Sequence, residues 1–302
     1  MTEHEHRRVI FGTDWWTDCD DVAALRMVCR YAASGTWQPL GVVLNAAAPL
    51  AAASVLAMLE QEGLSDLPIG IDISADDFGG NPPFQKPMAE KAGKSDIRND
   101  MFDDAVSLYR RLLAEAPDHS VELLEVGYLP SLAALLSSPP DAISPLCGTE
   151  LAAQKLRCVW CMGGNWEQGG CGKENNFCRN DRACHAAHTV LSCCPVPITF
   201  LGYEIGVRVT AHPPADEHDL VRIAFTAHGS KNGRYAWDPM LVHLAAVQDI
   251  TAAGYRAVTG NASVDAQTGE NRFAETPQGR HRYVVMTKEP AWYETQIDAV
   301  IQ

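Results

Sequence analysis

Apolar and polar positions follow two different patterns along the chain. Short, nearly continuous apolar runs indicate buried strands, and longer stretches with one polar stripe indicate helices packed against a sheet. The runs predict strands at Arg8–Thr13, Pro39–Leu44, Leu67–Ile71, Val121–Val126, Lys155–Met162, Pro197–Leu201 and Tyr283–Met286. The longer stretches predict helices at Asp20–Ser34, Pro49–Glu62, Met101–Ala116, Leu129–Leu136, Asp181–Leu191, Pro239–Val247 and Trp292–Ile301. Ser74–Asn99 is rich in Gly, Pro, Asp and Lys and is predicted to be a long loop.

The alternation of strands and helices predicts an α/β fold. We expect an open, mostly parallel, Rossmann-like sheet with helices on both faces, which makes three layers. Length alone would allow one large domain or two smaller ones, and the chain shows no repeat and no clear linker. Ligands of such sheets bind beyond the carboxyl ends of the strands, so the residues that follow each strand are candidates for chemistry.

Oxygen-bearing side chains collect at these strand ends. Close carboxylates repel one another unless a proton or a cation lies among them, and hard oxygen ligands suit Ca²⁺ or Mg²⁺. A carboxylate beside such a metal can take a proton from water and produce a nucleophile. The pattern therefore indicates a metal-assisted hydrolytic site, whose candidate residues are Asp14, Asp18, Asp20, Asp21, Asn45, Glu174, Asn176, Trp237 and Asp238.

Each of these residues also has a simpler interpretation. Asp20 and Asp21 could cap the following helix and complement its dipole, and Asp238 before Pro239 suits a helix N-cap. Asn45 alone would be an ordinary turn residue. The functional interpretation depends on all of them lying at strand ends.

Charge and composition exclude some classes of function. The 302 residues carry 38 acidic against 24 basic side chains, a net charge of −14, which argues against a binder of nucleic acid backbones. No apolar run approaches the roughly 20 residues that span a membrane, and the N-terminus lacks a signal-peptide pattern. We therefore expect a cytoplasmic protein without a membrane partner, with its ten cysteines as free, buried thiols.

Several motifs resemble those of the nucleoside hydrolase family, of the inosine-uridine-preferring type. GTDWWTDCDDVAAL at 12–25 is similar to the family's DTDxGxDxDDxxAL, and GVVLN at 41–45 to its second strand and Asn. VGYLPSLAALL at 126–136 resembles GPLTNLA, and CMGGN at 161–165 resembles the MGG turn. ENNFCRNDRAC at 174–184 is similar to EFNxxxDPEAA, and Trp237-Asp238 stands where the family has His-Asp.

The resemblance implies one three-layer domain over residues 1–302 that hydrolyses the N-glycosidic bond of ribonucleosides with one Ca²⁺. By position, the calcium ligands would be Asp14, Asp21, Asp238 and the backbone carbonyl of Pro130, with Asp14 also the base that activates water. Contacts to the sugar would come from Asn45, Glu174 and Asn176. Asp20 and Asp18 would hold these groups in position without binding the calcium or the sugar themselves. The family also suggests a homo-oligomer, a dimer or a tetramer, with a nucleoside as the small-molecule partner.

Departures from the family pattern leave a second function open. Gly12 and Trp16 replace an Asp and a Gly, and Pro130 and Ser131 replace Thr and Asn. Trp237 replaces the His that some members use to protonate the leaving base, and an indole has only a neutral donor, although it could stack on the base. The alternative is a catalytically weak member that binds ribosides or an ADP-ribose-like ligand.

Three other motifs are rejected on spacing. GGCGK at 169–173 lacks the glycine spacing of a phosphate loop, and Glu174 stands where Ser or Thr is needed. A dehalogenase-like phosphatase needs a second Asp where Trp16 stands. Cys158 and Cys161 are predicted on one strand, where residues three apart point to opposite faces and cannot share a zinc ion.

Overall fold

The computed structural model describes residues 7–167 and 170–302. The N-terminal stretch behind the expectation of a cytoplasmic location lies mostly outside these ranges, as does Gly169 of the rejected phosphate-loop motif. Within the described ranges no helix is both long enough and apolar enough to cross a membrane.

Strands and helices alternate through most of the chain. The strands are β1 (Arg7–Thr13), β2 (Trp37–Leu44), β3 (Ile69–Ile71), β4 (Asp103–Asp104), β5 (Val121–Glu125), β6 (Leu156–Met162), β7 (Ile198–Leu201), β8 (Thr210–Ala211), β9 (Arg234–Tyr235), β10 (Tyr255–Val264), β11 (Asn271–Glu275) and β12 (His281–Met286). The helices are α1 (Asp20–Ala33), α2 (Ala51–Gln61), α3 (Gln85–Lys91), α4 (Ala105–Glu115), α5 (Pro130–Ser137), α6 (Gly148–Lys155), α7 (Asn175–Cys178), α8 (Asp181–Cys193), α9 (Tyr203–Gly206), α10 (Leu220–His228), α11 (Trp237–Val247) and α12 (Pro290–Ile301), with a 3₁₀ turn at Asn99–Met101.

Ten strands form one mostly parallel sheet in the order β11-β10-β12-β7-β6-β5-β1-β2-β3-β4. The strands from β12 to β4 pair in parallel, and β10 pairs antiparallel with both β11 and β12. The remaining pair, β8 and β9, forms a small antiparallel ribbon. The predicted open, mostly parallel α/β sheet is therefore confirmed.

Two apolar cores lie on opposite faces of this sheet. Val9 and Phe11 of β1 contribute to one core together with α1, α2 and α11, and Ile10 between them contributes to the other with α4, α5 and α8. Successive side chains of a strand point to opposite faces, so a strand covered on both sides must be apolar throughout. The three layers follow from this requirement.

The direction of strand order reverses between β1 and β5. From β1 the chain proceeds to β2, β3 and β4 on one side, whereas β5, β6, β7 and β12 lie on the other. At such a reversal the connections leave in opposite directions and open a crevice at the carboxyl ends of the strands. Asp14, at the end of β1, and Gly127, shortly after β5, lie at this crevice.

The predicted loop at Ser74–Asn99 is wrong in part, because it contains helix α3. The sequence QKPMAEK contains a proline, which suggested a loop, but Pro87 lies in the first turn, where a helix needs no N–H donor. Met88 and Ala89 are fully buried and anchor α3 on the core beside α2.

Candidate functional site

The turn after β1 fixes the first carboxylate. Trp15 has φ of 48°, a left-handed conformation that is uncommon for a residue with a side chain. Its N–H donates to Thr13 Oγ1 at 3.1 Å, and the Trp16 N–H donates to Asp14 Oδ1 at 3.0 Å. These local bonds turn the chain sharply at the end of the strand and hold Asp14 over the crevice.

Both tryptophans of this turn are anchored away from the crevice. The Trp15 indole is fully buried and donates to Ser54 Oγ at 2.8 Å. The Trp16 indole donates to the Gly79 carbonyl at 2.6 Å. Gln85, on α3, donates to the backbone carbonyls of both. The unusual turn is thus held from three sides, which makes the position of Asp14 rigid.

Three further carboxylates meet beside Asp14. Asp20, Asp21 and Asp238 each place one oxygen so that all three lie within 4.8 Å of one another, and all three residues are buried. Asp20 and Asp21 begin α1, and Asp238 comes from α11, whose backbone N–H at Asp238 donates to Asp20 Oδ2 at 3.2 Å. We call Asp14, Asp20, Asp21 and Asp238 the carboxylate ring.

These aspartates are not N-caps, although Asp20, Asp21 and Asp238 all lie in the first turn of a helix and so complement its dipole, as the simpler interpretation expected. The N-cap of α1 is Cys19 and that of α11 is Ala236, and neither makes a side-chain cap hydrogen bond. Asp238 lies inside the first turn of α11, because this helix begins at Trp237, two residues before the predicted start.

Burial and mutual repulsion dominate the electrostatics of the ring. Burial raises the pKa of Asp14, Asp20 and Asp238 well above the usual value, and the charge of a neighbouring aspartate raises each further. Burial raises the pKa of Asp21 to about 7, although hydrogen bonds from Thr13 Oγ1 and the Trp15 N–H oppose this. A cation among these oxygens would remove both penalties.

The donor set fits a hard divalent cation. All ring donors are carboxylate oxygens, which suit Ca²⁺ or Mg²⁺ rather than a metal that prefers nitrogen or sulfur. Asp20, which we expected to support the site without binding the metal, places a carboxylate oxygen within 4.8 Å of those of Asp21 and Asp238, so it could also hold the ion. Pro130 begins α5 and is buried, but it is not part of the described crevice wall, so its carbonyl as a ligand stays a prediction.

Asp18 has a different partner from the ring. Its carboxylate accepts from the Arg234 guanidinium, with a shortest distance of 2.6 Å. Burial alone would raise the pKa of Asp18, but the Arg234 hydrogen bonds and charge lower it. Asp18 therefore ties the β1–α1 turn to β9, and its supporting role in the site stays a prediction.

The ring forms the floor of a cavity of about 290 Å³. Eight of the residues selected from sequence lie on its wall: Asp14, Asp18, Asp20, Asp21, Glu174, Asn176, Trp237 and Asp238. The wall also includes residues that sequence reasoning missed, chiefly Tyr128, Arg179, Tyr203 and Arg234. Arg179 lies within the 174–184 motif and Arg234 stands three residues before Trp237, but no local pattern shows that their side chains turn toward the crevice.

Glu174 and Asn176 connect the ends of two strands. Glu174 accepts from the backbone N–H of Asn176 at 2.7 Å and of Gly164 at 3.1 Å, and burial raises its pKa to about 7. The Asn176 amide nitrogen donates to the carbonyls of Val126 and Met162, which follow β5 and end β6. With its donors used, the Asn176 side chain offers an acceptor oxygen to a ligand.

Gly127 lets the backbone after β5 approach Asp14. A β-carbon at this position would lie 2.1 Å from the Asp14 backbone nitrogen, so no other residue fits. The next residue, Tyr128, donates its backbone N–H to the Asp14 carboxylate. The two strands on either side of the sheet reversal thus both orient the same side chain.

Asn45 lies below the wall rather than on it. Its backbone N–H donates to Thr13 O at 2.8 Å, but the side chain is fully buried and neither of its polar atoms has an ordinary hydrogen bond within the described residues. The Glu125 carboxyl is close to it. Whether Asn45 reaches a sugar stays a prediction.

Glu125 supplies a carboxyl where the family motif has its first Asp. A side chain at Gly12 would collide with Glu125 Oε2 at 2.1 Å, so the glutamate from β5 occupies the volume of the missing aspartate. Tyr109 donates to Glu125 Oε1 at 2.5 Å. Burial raises the pKa of Glu125 to about 7, while its hydrogen-bonding neighbours act in the opposite sense.

Aromatic groups line one side of the cavity. Trp237 stacks on Tyr203, with ring centroids 5.6 Å apart and planes 24° apart. The Trp237 indole donates to the Tyr203 carbonyl at 2.9 Å, and the Arg234 guanidinium lies 5.2 Å from the Trp237 ring. The indole N–H is therefore already used, and the Trp237 ring already contacts Tyr203, Tyr235 and Arg234.

None of the ten cysteines lines the cavity wall. All ten are free thiols, as expected, but only five are buried, and Cys171 and Cys193 are exposed. Cys158 packs against one core and Cys161 lies in the other, which confirms that they point to opposite faces of β6.

Proteins similar to this chain are found by comparing structures, and not by comparing sequences. No model of a known protein family matches the sequence, and no curated protein matches it. The structure is similar to a plant nucleoside hydrolase, PpNRh1, with a TM-score of 0.70 and 14% identity over 98% of this chain and 97% of that one.

Two further solved structures extend this likeness. An inosine-uridine preferring nucleoside hydrolase from Bacillus anthracis gives a TM-score of 0.64 and 16% identity, covering 97% of this chain and 99% of that one. The type III effector XopQ, complexed with adenosine diphosphate ribose, gives 0.65 and 14%, covering 100% and 94%. These matches show that the chain has a nucleoside hydrolase-like fold.

Proposed function

We propose that the protein is a calcium-dependent hydrolase of the N-glycosidic bond of ribonucleosides, releasing ribose and the free base. The observation that supports this most is the carboxylate ring at the sheet reversal, because four buried aspartates without a cation would be costly to maintain. A bound Ca²⁺ would neutralise the ring and polarise both a water molecule and the 2′- and 3′-hydroxyls of the sugar.

Asp14 is the group best placed to act as the base. The backbone N–H groups of Trp16 and Tyr128 orient its carboxylate over the crevice. Asp14 would take a proton from water as the water oxygen bonds to C1′ of the ribose. The C1′–N bond breaks, and its electron pair leaves with the base, which then takes up a proton.

The opposite wall would bind the sugar. Asn176 presents an acceptor oxygen, and the Glu174 carboxylate is held by two backbone N–H groups. As the bond to the base breaks, positive charge develops on the ribose ring. This oxygen-rich pocket stabilises that charge, since its acceptors are fixed before the reaction begins.

Trp237 would hold the leaving base by stacking rather than by proton transfer. Its indole nitrogen donates to the Tyr203 carbonyl, and an indole is not an acid at neutral pH. The site therefore favours bases that leave without a strong acid, or modified bases that are better leaving groups.

The test is to incubate the purified protein with purine, pyrimidine and modified ribonucleosides, with calcium or with a chelator, and to measure released ribose. We expect release that depends on calcium. If no riboside is hydrolysed while calcium binds, the proposal of hydrolysis is wrong.

A second candidate function is binding of ADP-ribose or a similar riboside without turnover. The absence of an acid at Trp237 favours it, and so does the structural likeness to an effector that was solved with adenosine diphosphate ribose. Calorimetric binding of ADP-ribose without release of ribose would support this candidate against hydrolysis.

A further inference from the structure

Arg179 brings a positive charge to a cavity whose floor is acidic. It follows α7 and lines the cavity wall. Its Nε donates to the Phe78 carbonyl at 2.6 Å and its Nη2 to the Gly79 carbonyl at 3.1 Å. Both acceptors are neutral backbone groups. Within residues 7–167 and 170–302, no carboxylate forms an ion pair with this guanidinium, and its Nη1 donates to no protein group.

Other arginines nearby are neutralised. Arg234, on the same cavity wall, is paired with Asp18 at 2.6 Å. Arg182, three residues after Arg179, pairs with Asp77 at 2.8 Å and donates to the Ser74 carbonyl. Arg179 and Arg182 thus both fasten the segment at 74–79, but only Arg179 combines an unpaired charge with a place on the cavity wall.

The position of Arg179 separates it from the carboxylate ring. Its side chain is exposed, whereas the ring aspartates are buried. Tyr128 lines the same wall, and burial raises its pKa, the Asp14 charge adding to this and the Arg179 charge opposing it. The Tyr128 ring packs on Phe78, whose carbonyl holds Arg179. A ligand could therefore place a neutral part on the floor and an anionic part at the cavity mouth.

The geometry of Arg179 suits an anion with two oxygens. A guanidinium presents its donors as a planar fork that matches carboxylate and phosphate groups. Two carbonyls already fix the orientation of this fork, so little conformational entropy is lost when an anion binds. An unpaired, oriented guanidinium at the mouth of a ligand cavity is a recognition element.

We infer that the ligand of this site is an anionic riboside, whose phosphate or carboxylate group binds Arg179 while its ribose hydroxyls face the carboxylate ring. The placement of the ribose rests on the proposed function. The anionic group has two possible sources, a 5′-phosphate on the sugar or a carboxylate on the base. Both present the same planar pair of oxygens to the guanidinium.

The experiment compares three ligands with the calcium-loaded protein: uridine, uridine 5′-monophosphate, and orotidine, which carries a carboxylate on its base. Binding is measured by calorimetry, and cleavage by release of the free base. We expect one of the anionic ligands to bind at least about 10-fold more tightly than uridine, since a charge-assisted hydrogen bond is worth that much. The ligand that binds tighter identifies the source of the anion.

Two variants test the role of the residue. Arg179→Gln should weaken binding of the preferred anionic ligand by about 10- to 100-fold and leave uridine unchanged within about two-fold. Arg182→Gln is the matched control, because it loosens the same segment without touching the cavity, and it should change neither ligand. Arg179→Lys keeps the positive charge but lacks the planar pair of donors. Its affinity for the preferred anionic ligand should lie between those of the wild type and Arg179→Gln.

Several outcomes overturn the inference. Equal losses for uridine and the anionic ligand in Arg179→Gln would mean that Arg179 only anchors the 74–79 segment. Tighter binding of uridine than of both anionic ligands by the wild type would also mean that Arg179 only anchors the 74–79 segment. Arg179-dependent binding of an anionic ligand without cleavage would leave the inference intact and reject hydrolysis. Cleavage of uridine without any preference for an anionic ligand would support hydrolysis and reject the inference about Arg179.

Discussion

At the scale of single residues, a carboxyl group from a neighbouring strand fills the space beside Gly12. Gly12 lacks the first aspartate of the motif, and the Glu125 carboxyl on β5 occupies that volume. The sequence shows the missing aspartate but not its replacement, because the two positions are far apart along the chain. They meet only through the pairing of β1 with β5, where Gly12 faces Glu125.

Replacing Glu125 with glutamine should change how stability depends on pH. The folded protein raises the Glu125 pKa from 4.5 to about 7, so between these values it holds a proton that the unfolded chain has lost. Stability from this group therefore falls as pH rises through that range, by roughly 2–3 kcal/mol. Glu125→Gln should remove this fall, measured by urea unfolding at pH 5 and pH 8 with chelator present.

Glu122 provides the control on the same strand. Burial would raise its pKa, but the Arg7 hydrogen bonds and charge lower it, so its stabilising contribution is present above its unfolded pKa and lost only in acid. Glu122→Gln should therefore destabilise the protein about equally at pH 5 and pH 8. Parallel pH profiles for wild type and Glu125→Gln would contradict the prediction for Glu125.

Asp14→Ala should reduce ribose release by at least about 100-fold and weaken calcium binding, because one side chain would serve both as base and as ligand. Steady-state assays and calcium titration measure the two effects separately. Asp96→Asn, a change to an exposed carboxylate outside the site, should leave both unchanged. Retained turnover in Asp14→Ala would show that another group is the base.

At the scale of elements, sequence reasoning works best where burial is complete. The parallel strands are apolar on both faces, so their runs are visible, and each predicted strand is found with ends displaced by no more than two residues. The edge hairpin of β10 and β11 was missed, since β10 alternates buried and exposed positions and contains Gly260 and Asn261.

The missed helices have weaker signals for different reasons. Helix α3 contains a proline in its first turn, and α6 is short and mixes small, polar and charged residues. Helix α10 differs from these two, because both of its ends carry a clear sequence signal. Asp219 caps its first turn, and Gly229, in a left-handed conformation, ends it. Local sequence patterns thus predict buried elements well. Elements that are stabilised by contacts with distant parts of the chain can be identified only once the fold is known.

Similar reasoning explains which site residues were found. Asp14, Asp20 and Asp21 follow a predicted strand, so the general rule for α/β sheets selects them. Arg179 could not be selected, because its direction depends on the carbonyls of Phe78 and Gly79, which lie about 100 residues earlier in the chain.

At the scale of the whole molecule, calcium should act as a ligand that stabilises the fold. Its proposed ligands come from α1 and α11, so binding requires the folded chain. An ion present at 100 times its dissociation constant adds about 2.7 kcal/mol to the free energy of unfolding. Thermal unfolding with calcium and with chelator should show a higher Tm with calcium.

The triple variant Asp20→Asn, Asp21→Asn, Asp238→Asn separates ion binding from the effect of charge. It should lose the calcium-dependent rise in Tm, because the carboxylate oxygens are gone. In chelator it should be at least as stable as the wild type, since the mutual repulsion of the buried carboxylates is removed. A calcium-dependent rise that persists in this variant would place the ion elsewhere.

The hydrogen bond between the Asp238 N–H and the Asp20 carboxylate joins positions 218 residues apart. During synthesis on the ribosome, β1 and α1 emerge early, but Asp238, the last carboxylate of the ring, emerges only after more than three quarters of the chain. The proposed cation site is therefore incomplete in a nascent chain, and the carboxylates come together only when the sheet is almost fully assembled.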